Sequence, residues 1–211
     1  RDTNREIYYK RSTDGGVSWG ADRRLTNNIE NSFYPFVTAF GSNLHLVWYD
    51  LRDYSEQVYY KRSTDDGISW GTDIRLTYNT PYALSPSITF NGLNVHVVWD
   101  DYRNGNDEIY YKRSTDGGIT WGADIRLTIN SADSKVPHIA ISGSNVHVVW
   151  EDNRDTNREI YYKRSTDGGV TWGADTRLSI DPAESWASSI AASDSNVHLV
   201  WEDNRNGNYE I

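Results

Sequence analysis

The 211-residue chain contains no cysteine and no methionine. Without cysteine there is no disulfide framework and no thiolate chemistry. A chain that starts without methionine reads as a processed form or a fragment. No run of 18 apolar residues occurs, so no helix is expected to span a membrane. No signal peptide is visible, though a mature form would have lost one. Basic residues are in deficit: 21 Lys and Arg face 30 Asp and Glu, for a net charge of −9. That balance disfavours nucleic acid, whose binding depends on neutralising phosphates with Lys and Arg. Helical periodicity is missing as well. Hydrophobic residues make up only 37%, but 9 Trp and 15 Tyr supply large buriable surfaces.

What is present is repetition. Ser12-Thr13-Asp14-Gly15-Gly16-Val17-Ser18-Trp19 recurs 51 residues later as Ser63 to Trp70, then as Ser114 to Trp121 and Ser165 to Trp172. All four copies fit S-x-D-x-G-x-x-W. The fixed residues are Ser12, Asp14, Gly16 and Trp19; Ser63, Asp65, Gly67 and Trp70; Ser114, Asp116, Gly118 and Trp121; and Ser165, Asp167, Gly169 and Trp172. The Ser and Asp oxygens are placed to accept hydrogen bonds from the following turn. The Gly suits a positive φ. The Trp is expected to fold under the turn and bury its ring, contributing at most roughly 4–6 kcal/mol per copy.

Around these phrases lie four strand patterns. Residues 34–40 read as a first strand. Leu44–Trp48 form a nearly all-apolar second strand, expected to be covered on both faces. Residues 58–63 form a third, rich in β-formers, and Ile74–Thr77 a short outer fourth. Four antiparallel strands in about 50 residues, repeated, predict an all-β propeller blade. Blades are expected near 34–77, 85–128 and 136–179. A fourth is expected from pairing strands in 187–202 with strands in 6–26, which would close a ring of one domain spanning 1–211. Yet Arg205–Ile211 repeats the register of Arg1–Ile7. A closed ring needs only one of these, so a window on a longer array and pairing between two copies stay open beside the monomer.

The phrase resembles the Asp-box, or BNR repeat, of sialidase-like propellers. The resemblance extends over the whole chain and implies a β-propeller with the box at the hairpin between third and fourth strands. In that family the box is a structural turn away from the active-site face, and family members include glycosidases, receptors and lectin-like proteins. Sialidases use three arginines around a carboxylate, a tyrosine nucleophile paired with a glutamate, and an aspartate acid/base. No R-I-P-type motif precedes the first box, and Arg, Tyr and Glu recur in every repeat. No catalytic residue is therefore assigned.

Residues 1–22 and 154–175 differ only at Ser18 against Thr171, so the copies are scarcely specialised there. Variation gathers in the links between repeats (27–33, 78–85, 129–135, 180–186) and after the second strand (51–56, 102–107, 153–158, 204–209). Both sets are expected on one face, where variable loops on a rigid scaffold carry binding. The ligand candidates are Trp186, Tyr54, Tyr82 and Tyr102, with the D-x-R arginines Arg52, Arg103, Arg154 and Arg205. Each arginine also has a ready partner in the Asp two positions before it. His45, His96, His147 and His198 share one register inside apolar strands and read as packing residues. No metal or cofactor is expected, since the Asn/Asp-rich loops lack EF-hand spacing. These features predict a non-catalytic binding or scaffold propeller with a glycan or protein ligand, outside the cell or on its surface. The alternative is a sialidase-type exo-glycosidase.

Overall fold

A computed structural model describes residues 4–208, 210 and 211. Arg1, Asp2, Thr3 and Tyr209, which contribute to the duplicated terminal register, lie outside the described residues. All described secondary structure is β. Strands β3 (Ser32–Phe40), β4 (Asn43–Asp50), β5 (Gln57–Ser63) and β6 (Ile74–Arg75) form an antiparallel sheet in that order. Strands β7 (Ala83–Asn91), β8 (Asn94–Asp101), β9 (Glu108–Ser114) and β10 (Ile125–Arg126) form the next. Strands β11 (Ser134–Ser142), β12 (Asn145–Asp152), β13 (Glu159–Ser165) and β14 (Thr176–Arg177) form the third. Two half-sheets flank them: β1 (Tyr8–Tyr9) with β2 (Arg23–Arg24), and β15 (Ser185–Ser193) with β16 (Asn196–Asp203).

The fourth strand is short because a side chain takes over from the backbone ladder. The Val58 amide donates to the Thr77 hydroxyl at 2.9 Å, while Leu76 N donates to Val58 O at 2.8 Å. Thr128 and Ser179 do the same for Ile109 and Ile160. The core lies along the second strands, where Trp48, Trp99 and Trp150 are fully buried. Each indole donates to the Asp two residues on: Asp50, Asp101 or Asp152. This satisfies the one polar atom of the ring without opening the core.

Blades lock through the repeated turn. Ser114 Oγ accepts from Gly118 N at 2.9 Å, and Asp116 Oδ1 accepts from Thr120 N at 2.9 Å; equivalent bonds occur in the other three copies. Gly118, at φ +82°, lies beneath Tyr60 of the preceding blade, and a Cβ there would fall 2.0 Å from the Tyr60 hydroxyl. Trp121 packs edge-on against that same Tyr60, with ring centroids 4.9 Å apart. The indole therefore packs on the neighbouring blade, and the full burial of the ring that the sequence predicts is not reached. Trp70, Trp121 and Trp172 are half-buried in this way, and Trp19 is 61% exposed.

His45, His96 and His147 lie inside the blades, whereas His198, expected to pack in the same way, is exposed on the half-sheet of β15 and β16. His45 and His96 bond Tyr60 and Tyr111 at 2.6 and 2.7 Å. Burial, and then the nearby Arg62 or Arg113, holds both imidazoles down at about 4, so they are neutral at pH 7. The pairing expected between the chain's two ends is not among the described strand pairs. β1 pairs only with β2, and β16 pairs with β15 plus a single Asp203–Glu210 bridge. Glu210 thus occupies the place opposite Asp203 that Glu6 would take by the repeat.

Candidate functional site

Every first strand breaks its register once: between Phe33 and Phe36, Leu84 and Ser87, Lys135 and His138, and Trp186 and Ser189. The cause is visible in three of them. Pro35, Pro86 and Pro137 carry no N–H for the ladder, so the strand bulges there. The preceding residues Tyr34, Ser85 and Val136 take φ of 48°, 49° and 51°, and Ala187 takes 49° in the fourth. Left-handed backbone at a β-branched residue such as Val136 is strained. The freed bulge amide finds a carboxylate on the second strand of the preceding sheet. Val136 N donates to Asp100 Oδ1 at 3.2 Å, and Ala187 N donates to Glu151 Oε1 at 2.8 Å.

Around the Val136 bulge the surface opens into a cleft of 320 Å³. Its lining includes Glu56, Tyr82, Leu84, Asp100, Asp107 and Lys135. A neighbouring cavity of 260 Å³ shares Ser85 and Val136 and adds Tyr34, Phe36 and His138. Phe36 and His138 meet edge-on at 6.0 Å across the strand between them. Tyr82 stacks on Tyr102 at 4.9 Å. Burial, followed by the charge of Asp107, raises the Tyr82 phenol to about 12. Lys135 Nζ lies 2.9 Å from Asp107 and 3.0 Å from Asp133. Asp100 is the unusual group. Burial lifts its carboxyl to about 7, against the opposing bonds from Ser85 and Val136 N, and Asp107 adds to the rise. It is a carboxyl that holds a proton near neutrality and can donate it.

The sequence candidates fall in different places. Tyr82 and Tyr102 form the stacked pair at the cleft. Tyr54 is fully exposed at a turn, at φ 64°. Trp186 lies one blade on, where its indole N–H reaches Glu202 at 2.8 Å and the Arg158 guanidinium sits 5.7 Å over its ring. The D-x-R arginines stay within their own blades. Arg103 bonds Asp101 at 2.6 Å and Asp124 at 2.8 Å and lies 4.3 Å over Tyr110. Arg52 and Arg154 repeat this, and Arg205 pairs with Asp203.

Asp100 and Val136 were not among the sequence candidates, and neither were Glu56, Asp107 and Lys135 at the ends of the variable loops. The signal for Asp100 was present: the residue before the D-x-R Asp reads Tyr49, Asp100, Glu151 and Glu202 within an otherwise near-invariant strand. The prolines inside the first strands were the matching signal for the bulge.

Repeated four-stranded antiparallel sheets packed side by side define a β-propeller type of protein. Residues 1–199 match the BNR repeat-like domain, and the chain belongs to that family. Its fold is similar to the GH93 α-L-arabinofuranosidase of Fusarium graminearum, solved with arabinobiose, at 17% identity and a TM-score of 0.67, covering 96% of this chain and 70% of that one. It is also similar to Trypanosoma rangeli sialidase, at 14% identity and a TM-score of 0.57, covering 97% of this chain and 48% of that one. The NanB sialidase of Streptococcus pneumoniae aligns at 15% identity and a TM-score of 0.59, with coverage of 95% and 32%. No curated protein matches the sequence.

Proposed function

We propose that the chain is a carbohydrate-binding propeller module that takes a neutral sugar in the cleft of Tyr82, Asp100, Asp107 and Lys135, without hydrolysing it. The observation that carries this reading is that Tyr82, whose ring is stacked on Tyr102 behind it, shares one concavity with a carboxyl raised to about 7, Asp100, and the Lys135–Asp107 ion pair. Sugar rings present an apolar face and a rim of hydroxyls, and such a site offers partners for both. A neutral ligand is favoured over an acidic one because the cation of the cleft, Lys135, is already met by two carboxylates, and no arginine lines the cleft. The arabinofuranosidase of similar fold was solved with arabinobiose, a neutral disaccharide. A place outside the cell or on its surface, where glycans are met, goes with this reading.

A second reading has one observation in its favour. Hydrolysis of a glycosidic bond takes a carboxyl held protonated near neutrality beside a second carboxylate, and Asp100 and Asp107 line the same cleft. Calorimetric titration with neutral arabino- and galacto-oligosaccharides separates the two. The binding reading expects measurable affinity that falls about tenfold or more on Tyr82→Ala, with no nitrophenol released from nitrophenyl glycosides. Turnover abolished by Asp100→Asn would replace it with the hydrolase. Absence of binding to every neutral sugar, with the fold intact, would remove both.

A further inference from the structure

We propose that the chain carries a second kind of binding site, a groove between successive turn phrases that takes an anionic sugar through Arg113 and, one blade earlier, through Arg62. The groove lies where the second and third four-stranded sheets join. Its volume is 440 Å³, within the range of about 300–1,000 Å³ typical of small-molecule sites. Arg113, Thr115, Thr120 and Trp121 line it from one blade, and Gly169 and Val170 from the next. It shares no lining residue with the Tyr82 cleft. Asp107 of that cleft lies just before β9, and Arg113 stands near the far end of the same strand.

Charge singles out these arginines. In a chain of net charge −9, other arginines of the blades meet a carboxylate: Arg52, Arg103 and Arg154 after the second strands, and Arg75, Arg126 and Arg177 on the fourth. Among the described residues, Arg62 and Arg113 form no ion pair. Each makes one hydrogen bond, from Nη1 to a backbone carbonyl of the next blade's phrase, Gly117 or Gly168, at 2.7 Å. That bond holds the guanidinium in the groove wall. Nη2 and Nε donate to nothing among the described residues. Together they form an edge of the fork that fits two oxygens of a carboxylate or sulfate.

The rest of the groove suits a ring that carries such a charge. Trp121, half-buried, supplies an indole wall, and Thr115 brings an exposed hydroxyl that bonds nothing among the described residues. A sugar offers an apolar face to the first and a hydroxyl rim to the second. The carboxylate of the next phrase, Asp167, does not neutralise Arg113. Its oxygens accept from Ser165, Val170 and Thr171 of its own turn. One arginine per groove on an acidic chain suits a ligand with a single charge rather than a polyanion.

The repeat supplies a second copy and a natural contrast. Arg62, Thr64, Trp70 and Gly118 stand at the same registers one join earlier. At the join before that, Arg11 holds the arginine register, but Asp66 replaces the glycine found at Gly117 and Gly168. A carboxylate at this place opposes an incoming anion. The turn accepts it, since Asp66 takes φ 59° where Gly117 and Gly168 take 72° and 68°. A Cβ on Gly168 would lie 3.9 Å from Arg113 Nη1, an ordinary contact. Gly168→Asp therefore sets a carboxylate beside Arg113 without forcing the turn.

The test is calorimetric titration of the whole chain with sulfated galactose, galacturonate and inorganic sulfate. At least one of the charged sugars should bind, more weakly as salt is raised, and the tighter of the two names the oxyanion. Arg113→Gln should halve the number of sites, and Arg62→Gln combined with Arg113→Gln should remove them. Gly117→Asp combined with Gly168→Asp should weaken binding about tenfold or more, with the near-ultraviolet dichroism unchanged, and serves if the glutamine variants do not fold. Tyr82→Ala should leave this binding intact, which keeps its outcome apart from that of the neutral-sugar cleft. Failure of both charged sugars to bind the folded chain overturns the proposal. So does binding that survives both double variants, binding lost on Tyr82→Ala, or inorganic sulfate held as tightly as the sulfated sugar.

Discussion

At the scale of single residues, chemistry concentrates where the repeat is broken. Asp100 and Asp101 are neighbours with opposite electrostatics. Asp101 is partly desolvated too, but bonds from Arg103, Trp99 and Thr80 hold its carboxyl below the ordinary range. Asp100 faces Ser85, the Val136 amide, Asp107 and Lys135, and burial dominates, lifting it from 3.8 to about 7. The folded protein therefore keeps a proton that the unfolded chain releases between about pH 4 and 7. Stability from this group is complete below about pH 4 and is lost as pH rises toward 7, with a slope approaching about 1.4 kcal/mol per pH unit. Asp100→Asn keeps the amide contact without the titration. Its stability relative to the parent, measured by urea unfolding at several pH values, should rise between pH 4 and 7 and level off above. A difference flat with pH would show that Asp100 titrates normally.

At the scale of the element, the blade was legible and its irregularities were not. Alternation of apolar second strands with Tyr-rich third strands specified the sheet order, because each pattern can bury its rings only between neighbours. The turn phrase specified the hairpin through its own hydrogen bonds. The bulge escaped notice because Pro35, Pro86 and Pro137 sit inside runs that otherwise read as strand. The destination of the Trp ring also escaped, since a packing partner 61 residues away, as Tyr60 is from Trp121, leaves no local trace. The D-x-R arginines were legible as pairs with their own Asp, whereas their second partners, such as Asp124 for Arg103, lie across the turn. The glycine beneath the tyrosine gives this scale its prediction. Gly16 and Gly118 have similar positive φ, 90° and 82°, so replacing either with Ala costs about 1–2 kcal/mol in backbone strain. Only Gly118→Ala also drives a Cβ into the Tyr60 hydroxyl, adding about 1–3 kcal/mol of overpacking. Thermal unfolding in dilute solution should rank Gly118→Ala clearly below Gly16→Ala. Equal losses would mean that Tyr60 swings away freely and that the turn does not lock the blades.

At the scale of the whole molecule, a stacked array has no single core. Three clusters of buried residues follow one another along the chain, each spanning the join between one blade and the next. Stability in such an array is close to a sum of unit and interface terms, and the ends have one interface fewer. Among the described strands, β16 is paired on one side only, whereas β8 and β12 lie between two strands. Hydrogen exchange reads this directly, because amides open locally where contacts are few and globally where they are many. In dilute solution, amides of β8 and β12, which lie between two strands and behind buried tryptophans, should exchange only by global unfolding. Amides along the free edge of β16 should exchange far sooner despite the same sequence pattern. Uniform protection of all four second strands would mean that the outer edge of β16 is covered like those of β8 and β12.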